Sequence, residues 1–286
     1  MIPVSFEFYP PKTDEQREQL RRTVRKLRAH QPEFVSVTFG AGGSTLSYTP
    51  ETVRELRQAH KLNGVPHLSC MGGTREEIRE LLNLYRALGC DRVVALRGDL
   101  PSGMARMGDL RHASDLVAFI RAEHGEHFHI DVGCYPEMHP QAEDSLADLR
   151  RFKEKMDAGA NSAISQYFYN ADAYFRFVDD VRRLGVVAPI IPGIMPISNF
   201  TSDLQFHSAQ ALLRSLRRRD PALDQQAHGR FWRRFREHPR VCFRPGRGDV
   251  PATARRGRAG TALLHLEPGQ ADGVGARAAR VVEWLG

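Results

Sequence analysis

Glu7 is the first residue of the sequence whose surroundings suggest chemistry, within the segment SFEFYPPK. It stands between Phe6 and Phe8 in a strand-like run, so burial would remove water from its carboxylate and raise its pKa. A carboxyl group with a raised pKa can serve as a general acid near neutral pH. The alternative is an ion pair with a neighbouring arginine, and the residues alone leave both interpretations open.

A second candidate group, Arg97-Gly98-Asp99, ends the apolar run VVAL. Gly98 would let the backbone approach a ligand closely, and Arg97 could bind a phosphate or a carboxylate. Asp99 would add a negative charge beside them. The alternative is an ordinary turn in which the arginine and the aspartate pair with each other.

Two further segments offer candidate ligand contacts. YPEMHP contains Tyr135 as a stacking ring and His139 as a hydrogen-bond donor, although it is equally typical of a rigid loop bracketed by prolines. Asp148, Arg151 and Lys155 recur at helical spacing and could face one ligand, although such a stripe usually forms a solvated helix face. These segments therefore remain candidates with a structural alternative beside each.

Gln166 is a polar residue within the apolar run SAISQYF, so we interpret it as a buried amide that needs a partner. A ligand contact and a core hydrogen bond are both open. The segment HGEHFH places His124, His127 and His129 close together, which could bind a metal. No matching carboxylate cluster converges there, so we favour a surface loop and expect no metal.

An alternation of strand-like and helical segments must position these residues. Apolar, β-branched runs predict strands at 2–8, 33–39, 65–71, 92–97, 128–134, 162–168 and 187–194. Spacing of apolar residues by three and four predicts helices at 13–29, 50–62, 74–88, 112–124, 143–158 and 171–184. Thr13–Gln16 and Thr74–Glu77 fit the capping-box pattern of helix starts.

Strands joined by helices pair in parallel, which leaves an open sheet or a closed barrel. Candidate polar residues stand at the carboxyl ends of nearly all the strands, and a barrel gathers all those ends around one mouth. No GxGxxG motif follows the first strand, which argues against a dinucleotide-binding sheet. We therefore predict a (β/α)8 barrel. The best candidate for its eighth strand is ALLHLE at 262–267.

The composition, with 41% hydrophobic and 26% charged residues, is typical of a soluble folded protein and argues against disorder. No apolar run approaches the roughly 20 residues that span a bilayer, and Met1 leads directly into the strand-like run IPVSFEF, so we expect that the protein is not secreted. The cysteines Cys70, Cys90, Cys134 and Cys242 lack metal-binding spacing, so we predict reduced core thiols and a cytoplasmic location.

The net charge of +7 is concentrated in the last part of the chain. Residues 1–200 hold 25 basic and 26 acidic side chains, whereas residues 201–286 hold 16 arginines, no lysine and 8 acidic side chains. The first 200 residues are thus a balanced globular sequence, and we treat residues 201–286 as a separate Arg-rich tail. Nucleic-acid binding by that tail is one alternative function, although the tail lacks a recognised motif.

Taken together, the motifs resemble the bacterial methylenetetrahydrofolate reductase family. The resemblance runs from Val4 to Phe200 through segments at successive strand ends, among them SFEFYPPKT, FVSVTFGAGGS, VVALRGDLP, YPEMHP and IIPGIMPISNF. It implies a barrel with FAD at its C-terminal mouth. It also implies that hydride passes from NADH or NADPH to FAD and then to 5,10-methylenetetrahydrofolate, giving 5-methyltetrahydrofolate.

The resemblance assigns roles to positions of this sequence. Glu7 matches a general acid that contacts the folate and helps open its five-membered ring, Asp99 a carboxylate beside the flavin, and Gln166 a folate-contacting amide. The positions matched to FAD contacts are Thr38, His67, Arg97, Gly98, Asp99, Tyr135, His139, Ala142, Asp148, Arg151 and Lys155. We also expect a homo-oligomer that binds neither membrane nor nucleic acid. A different barrel enzyme of a phosphorylated ligand, such as an aldolase, would need a Schiff-base lysine at a strand end, and the sequence shows none.

The tail departs from this family. The family-like segments AEIPRW and LHFYTLNRA are missing after Phe200. Codons read one base later would permit EIPRWISKRM over residues 219–228 and ALHFYTLNRA over residues 260–269. Our hypothesis is that the gene shifts frame just after Phe200, so that the barrel-closing strand and the last helices are lost; a divergent tail is the alternative.

Overall fold

A computed structural model of the chain describes residues 3–39, 48–98, 108–168 and 170–194, together with the backbone of a strand at 262–266. Strands and helices alternate along it as predicted, with boundaries close to those expected from the sequence. The strands are β1 (Val4–Phe8), β2 (Phe34–Val37), β3 (Gly64–Ser69), β4 (Arg92–Leu96), β5 (His129–Cys134), β6 (Ser162–Ser165), β7 (Ile190–Ile191), β8 (Gly193–Ile194) and β9 (Ala262–Leu266). The helices are α1 (Asp14–Leu27), α2 (Tyr48–Gln58), α3 (Arg75–Ala87), α4 (Ala113–His124), α5 (Ser145–Asp157) and α6 (Ala171–Arg183).

The sheet is parallel throughout, in the order β7-β6-β5-β4-β3-β2-β1-β9-β8. β7 and β8 are two halves of one strand interrupted at Pro192, which has no N–H to donate to a ladder. The first half pairs with β6 and the second with β9, so the eight strands form a closed ring. The predicted (β/α)8 barrel is confirmed.

The closing strand corrects one expectation. The frame-shift hypothesis predicts that the barrel-closing strand is lost, which would leave the first and seventh strands with unpaired edges. Instead β9 lies between them, and its five residues pair with β1 from Val4 to Phe8. The physical reason is that two open parallel edges offer backbone partners to any short extended segment, and 262–266 supplies one. The other residues of the tail lie outside the described part of the chain.

Local signals set the helix starts. Thr74 and Glu77 form the predicted capping box, since Thr74 Oγ1 accepts from the Glu77 N–H at 3.2 Å and Glu77 Oε2 accepts from the Thr74 N–H at 2.7 Å. At α1, Thr13 caps the Gln16 N–H, but the Gln16 side chain bonds the N–H of Lys12 instead of Thr13. Among the described helices, none is long and apolar enough to cross a membrane.

The main core lies between the sheet and the surrounding helices. It contains Cys70, Cys90 and Cys134, which are buried and free, as predicted for core thiols. Burial raises the pKa of these thiols to about 11, 11 and 12 respectively. They are therefore protonated and unreactive near neutral pH. Cys242 lies outside the described residues.

A smaller apolar cluster fills the inside of the barrel. We call it the interior apolar cluster; it consists of Phe34, Val65, Val94, Ile164 and Ile191, with Leu96 packed against it. Every second residue of a strand faces the inside of the barrel. The inner-face residues that precede the cluster in each strand therefore lie at the N-terminal end of the barrel, and those that follow it lie at the C-terminal end. The cluster therefore separates a polar N-terminal end from the C-terminal mouth.

An ion pair occupies the N-terminal end. Arg92 donates to both carboxylate oxygens of Asp131, at 2.6 and 3.0 Å, and its guanidinium lies 4.0 Å from the centre of the Phe34 ring. The Ser162 hydroxyl also donates to Asp131, and His129 Nε2 lies 2.7 Å from that hydroxyl. Burial alone would raise the pKa of Asp131, but the hydrogen bonds and charges of His129 and Arg92 hold it at about 2.

We expect Asp131→Asn to lower the free energy of unfolding by about 3 kcal/mol, because it removes the fully buried one of the two carboxylates that bond Arg92 and leaves only the partly exposed Glu33. The pKa of Asp131 lies below its value in the unfolded chain, so its contribution is present above about pH 4 and is lost as the pH falls toward 2. Urea unfolding at neutral pH and at a series of acidic pH values measures both effects. Asp157→Asn is the control, since its pair with Lys153 is exposed and worth about 0–1 kcal/mol. Equal losses for the two variants would contradict this prediction.

Candidate active site at the barrel mouth

Glu7 and His67 face each other inside the barrel. Each side chain is 7% exposed, and His67 Nε2 lies 3.3 Å from Glu7 Oε2. The approach has ion-pair distance but not hydrogen-bond geometry, since His67 Nε2 has no hydrogen-bond partner in the structure. The carboxyl group predicted as a general acid is thus buried at the end of β1, beside an imidazole.

Thr38 extends this polar region to the end of β2. Its N–H donates to the carbonyl of Phe8 at 2.9 Å, which holds it close to the first strand. Its Oγ1 is buried and has no hydrogen-bond partner, like His67 Nε2. Buried polar atoms are nearly always bonded in folded proteins, so this pair indicates that something else binds at the mouth.

The turn after β4 is shaped by Ser69 and Gly98. The Ser69 hydroxyl donates to the Arg97 carbonyl at 2.8 Å. Gly98 has φ +80°, and a Cβ atom there would lie 2.0 Å from Ser69 Oγ, so this position requires glycine. The Arg97 guanidinium donates to Gln141 Oε1 across the mouth. Asp99, the third residue of this predicted group, lies outside the described residues.

The loop after β5 is held by its own hydrogen bonds. The His139 N–H donates to Asp148 Oδ2 at 2.8 Å, and the Ala142 N–H donates to the His139 carbonyl at 3.0 Å. His139 Nδ1 accepts from the Gln141 N–H at 3.0 Å, so a neutral His139 carries its proton on Nε2. The Tyr135 ring stands edge-on to His139 with centroids 4.4 Å apart.

The two basic residues predicted on α5 differ in their placement. Lys155 Nζ donates to the carbonyl of Gly133 at 2.5 Å, at the end of β5. Burial lowers the pKa of Lys155, while Cys134 and Asp148 act in the opposite direction. Arg151 is 61% exposed and bonds Glu154 on its own helix at 2.9 Å. The structure brings Lys155 to the mouth and leaves Arg151 on the solvated helix face that was its alternative.

Gln166 requires a correction. The sequence places it inside a buried strand, but β6 ends at Ser165 and Gln166 is exposed. The apolar run extends beyond the strand because Phe168 is also buried, but against a helix: its ring stacks on Tyr174 of α6, with ring centroids 4.9 Å apart. The chain has therefore left the sheet before the apolar run ends. The Gln166 N–H still donates to the backbone carbonyl of Cys134 at 2.7 Å, which keeps this residue at the rim.

Glycines leave space on the inner face at the mouth. Side chains alternate between the two faces of a strand, so the next inner-face positions at the ends of β4, β5 and β7 are Gly98, Gly133 and Gly193. Larger side chains at these positions would narrow the opening. A Cβ at Gly193 would lie 2.1 Å from the Ser165 carbonyl oxygen, so backbones approach closely there. The mouth therefore combines open backbone, two buried polar atoms without partners and two basic side chains, Arg97 and Lys155, that can bind anionic groups of a ligand.

The histidines of HGEHFH do not converge. His127 Nε2 lies 3.1 Å from the Cys90 carbonyl, His129 belongs to the polar N-terminal end, and the ring of His124 packs edge-on against Phe128. Within the described ranges, no group of three potential metal ligands is present.

Comparison with known proteins identifies the family. A sequence model of the family described as methylenetetrahydrofolate reductase matches residues 1–212. The chain belongs to the methylenetetrahydrofolate reductase family. The match ends near the point where the Arg-rich tail begins, in agreement with the resemblance found over residues 4–200.

Bacterial and plant relatives match the same region. The 5,10-methylenetetrahydrofolate reductase of Salmonella typhimurium is 40% identical over 205 residues, covering 72% of this chain and 68% of the relative. The enzyme of the same name from Pectobacterium carotovorum is 41% identical over 199 residues, covering 70% of this chain and 65% of the relative. Methylenetetrahydrofolate reductase (NADH) 1 of Arabidopsis thaliana is 40% identical over 214 residues, covering 70% of this chain and 36% of the relative.

Solved structures share the fold at low sequence identity. A Clostridium thermocellum protein that binds two copies of 5-methyl-5,6,7,8-tetrahydrofolic acid superimposes with a TM-score of 0.58 and 13% identity, covering 96% of each chain. Phosphonopyruvate hydrolase superimposes with a TM-score of 0.53 and 11% identity, covering 98% of this chain and 80% of that one. These likenesses support the barrel architecture.

Two residues of the mouth escaped the sequence interpretation. Ser69 shares the inner face of β3 with His67, two residues away, and that alternation could have indicated it. Gln141 follows His139 in a loop, where no periodicity indicates which side chain turns toward Arg97. Its role becomes visible only when the loops after β4 and β5 are brought together.

Proposed function

We propose that this chain reduces 5,10-methylenetetrahydrofolate to 5-methyltetrahydrofolate with NADH or NADPH, using FAD held at the barrel mouth. One observation carries the proposal: the buried carboxyl group of Glu7 lies against His67 at the mouth, in a chain of this reductase family. A protonated Glu7 there can give its proton to the folate nitrogen that leaves as the five-membered ring opens. The ring-opened folate is then an iminium, which accepts hydride.

Residues of the mouth fit the cofactor. Thr38 Oγ1 and His67 Nε2 are buried polar atoms without partners, and Arg97 and Lys155 supply positive charge for the phosphates. When bound, FAD would accept hydride from the nicotinamide and deliver it to the folate. Gly98 allows the turn after β4 to lie close to the ring system, and Tyr135 and His139 border the same opening. We assign Asp99 to the flavin's edge and Gln166 to the folate, as the family resemblance implies.

NADH is the first reductant to test, since a plant relative carries NADH in its name. The homo-oligomer and cytoplasmic location expected from the sequence remain predictions. An aldolase-like alternative lacks support, because none of the described strands carries a lysine. Lys155, on a helix, is bonded to a backbone carbonyl.

We expect the purified 286-residue chain to bind FAD, and Arg97→Ala to weaken that binding by about 10- to 100-fold. A hydrogen bond to a charged group is worth about 1.5–3 kcal/mol, which sets this range. Arg151→Ala is the matched control; it removes the same side chain from an exposed helix face and should change the affinity little. Titration of flavin fluorescence measures both. A chain that binds no FAD, or two variants with the same loss, would contradict the proposed cofactor site.

A further inference from the structure

Two serine hydroxyls lie inside the barrel with no evident partner. Ser5 of β1 and Ser36 of β2 are both 0% exposed, and neither Oγ atom has a hydrogen-bond partner in the structure. An unbonded buried hydroxyl is costly, and such groups in folded proteins are usually bonded to protein or to ordered water. Apolar side chains would be the cheaper choice at these positions if they served packing alone.

Both serines adjoin Glu7. Ser5 precedes Glu7 by two residues on the same face of β1, one step toward the N-terminal end. Ser36 is the residue of β2 paired with Glu7, so the two side chains stand side by side on neighbouring strands. Ser5 and Ser36 are thus offset by two residues on neighbouring strands, which is too far for a direct bond between two serine side chains but can be spanned by one bridging water.

The cofactor cannot account for these hydroxyls as it does for Thr38 and His67. Ser5 lies on the N-terminal side of Glu7, and its register partner on β2 is Phe34 of the interior apolar cluster. Ser36 is paired on its other side with Val65 of the same cluster. A ligand entering through the mouth reaches Glu7 before it reaches Ser5, which argues against the cofactor as the partner of the Ser5 hydroxyl.

We propose that Ser5 and Ser36 bind internal water beneath Glu7 and act as positioning residues for its carboxyl group. A buried water typically makes two to four hydrogen bonds, and the two hydroxyls and the carboxyl group supply three partners. The water holds the carboxyl group from below while His67 lies 3.3 Å from Glu7 Oε2. The carboxyl group is then aimed at the mouth. This role rests on the proposed function of Glu7 as the acid of folate reduction.

Half-reaction kinetics of the 286-residue chain test the role. In Ser36→Ala and Ser5→Ala, the rate of folate reduction by the reduced flavin should fall about 10-fold, a small part of the 10²–10⁴ that general acid catalysis contributes. Reduction of the flavin by NADH should keep its rate, and Ser36→Thr, which retains the hydroxyl, should recover folate reduction. Thr52→Val is the control, since its hydroxyl bonds Tyr48 within α2. An unchanged folate rate in both alanine variants would overturn the proposal.

A high-resolution crystal structure separates this proposal from the proposed function. We expect an ordered water within hydrogen-bonding distance of Ser5 Oγ, Ser36 Oγ and Glu7, and its loss in the Ser5→Ala, Ser36→Ala double variant. If the wild-type chain binds FAD but reduces no folate, the proposed function fails while this water can still be observed. If the site between the hydroxyls contains no water, the positioning role fails even in an active enzyme.

Discussion

Glu7→Gln is expected to reduce the rate of folate reduction by about 10²–10⁴-fold while NADH still reduces the bound flavin at its normal rate. The amide has nearly the shape of the carboxyl group, so the buried position beside His67 stays filled. It carries no acidic proton, and only the ring-opening step of the folate needs one. Hydride transfer from the nicotinamide to the flavin makes no such demand on the chain.

Stopped-flow measurement of the two half-reactions decides this prediction. Glu33→Gln is a matched control, because Glu33 bonds Arg92 at the opposite end of the barrel. That variant should leave both half-reactions intact. If Glu7→Gln slowed both half-reactions equally, Glu7 would be a structural residue and the proposed acid would have to lie elsewhere.

Leu264→Pro is expected to abolish cooperative unfolding of the barrel. β9 is flanked by β1 and β8, and residue 264 is in register with Phe6 and with Ile194. Proline has no N–H and clashes with a central strand, so the ladder would break and two parallel edges would open. Total stabilities of about 5–15 kcal/mol leave little margin for the loss of a whole strand.

Thermal melts followed by circular dichroism, together with NADH–menadione turnover of the FAD-loaded chain, measure this effect. Leu264→Ala keeps the backbone N–H and should melt cooperatively. A cooperative melt and full turnover in Leu264→Pro would show that closure by β9 contributes little.

We also propose that residues 201–286 derive from a shifted reading frame. A chain whose tail is translated in the other reading frame should then melt at a higher temperature.

Much of the fold could be predicted because its signals are local. Thr74 and Glu77 stand at the spacing of a capping box, and each bonds the other's backbone N–H as the pattern requires. The inner and outer faces of the strands follow from alternation alone. The position of Glu7 at the mouth therefore followed from its place in the first strand-like run.

Other features depend on residues that are distant in sequence. Gln166 looked like a buried amide because the apolar run SAISQYF continues past it, but the run contains both a strand and Phe168, which stacks on a helix. Asp131 gave no sequence signal, since its partner Arg92 lies on the preceding strand, 39 residues earlier. The hydroxyls of Ser5 and Ser36 are ordinary in a strand until the sheet register places Ser36 beside Glu7 and Ser5 one inner-face position below it.

The interior apolar cluster has a consequence for how such a barrel can evolve. It keeps the Arg92–Asp131 pair at one end apart from the side chains around Glu7 at the other. Substitutions at well-separated sites affect stability almost independently, so changes accumulated at the mouth leave the ion pair's contribution intact. Selection can therefore change substrate contacts at the mouth without losing what the ion pair contributes to folding. A lineage can change the molecule it acts on without first having to rebuild its scaffold.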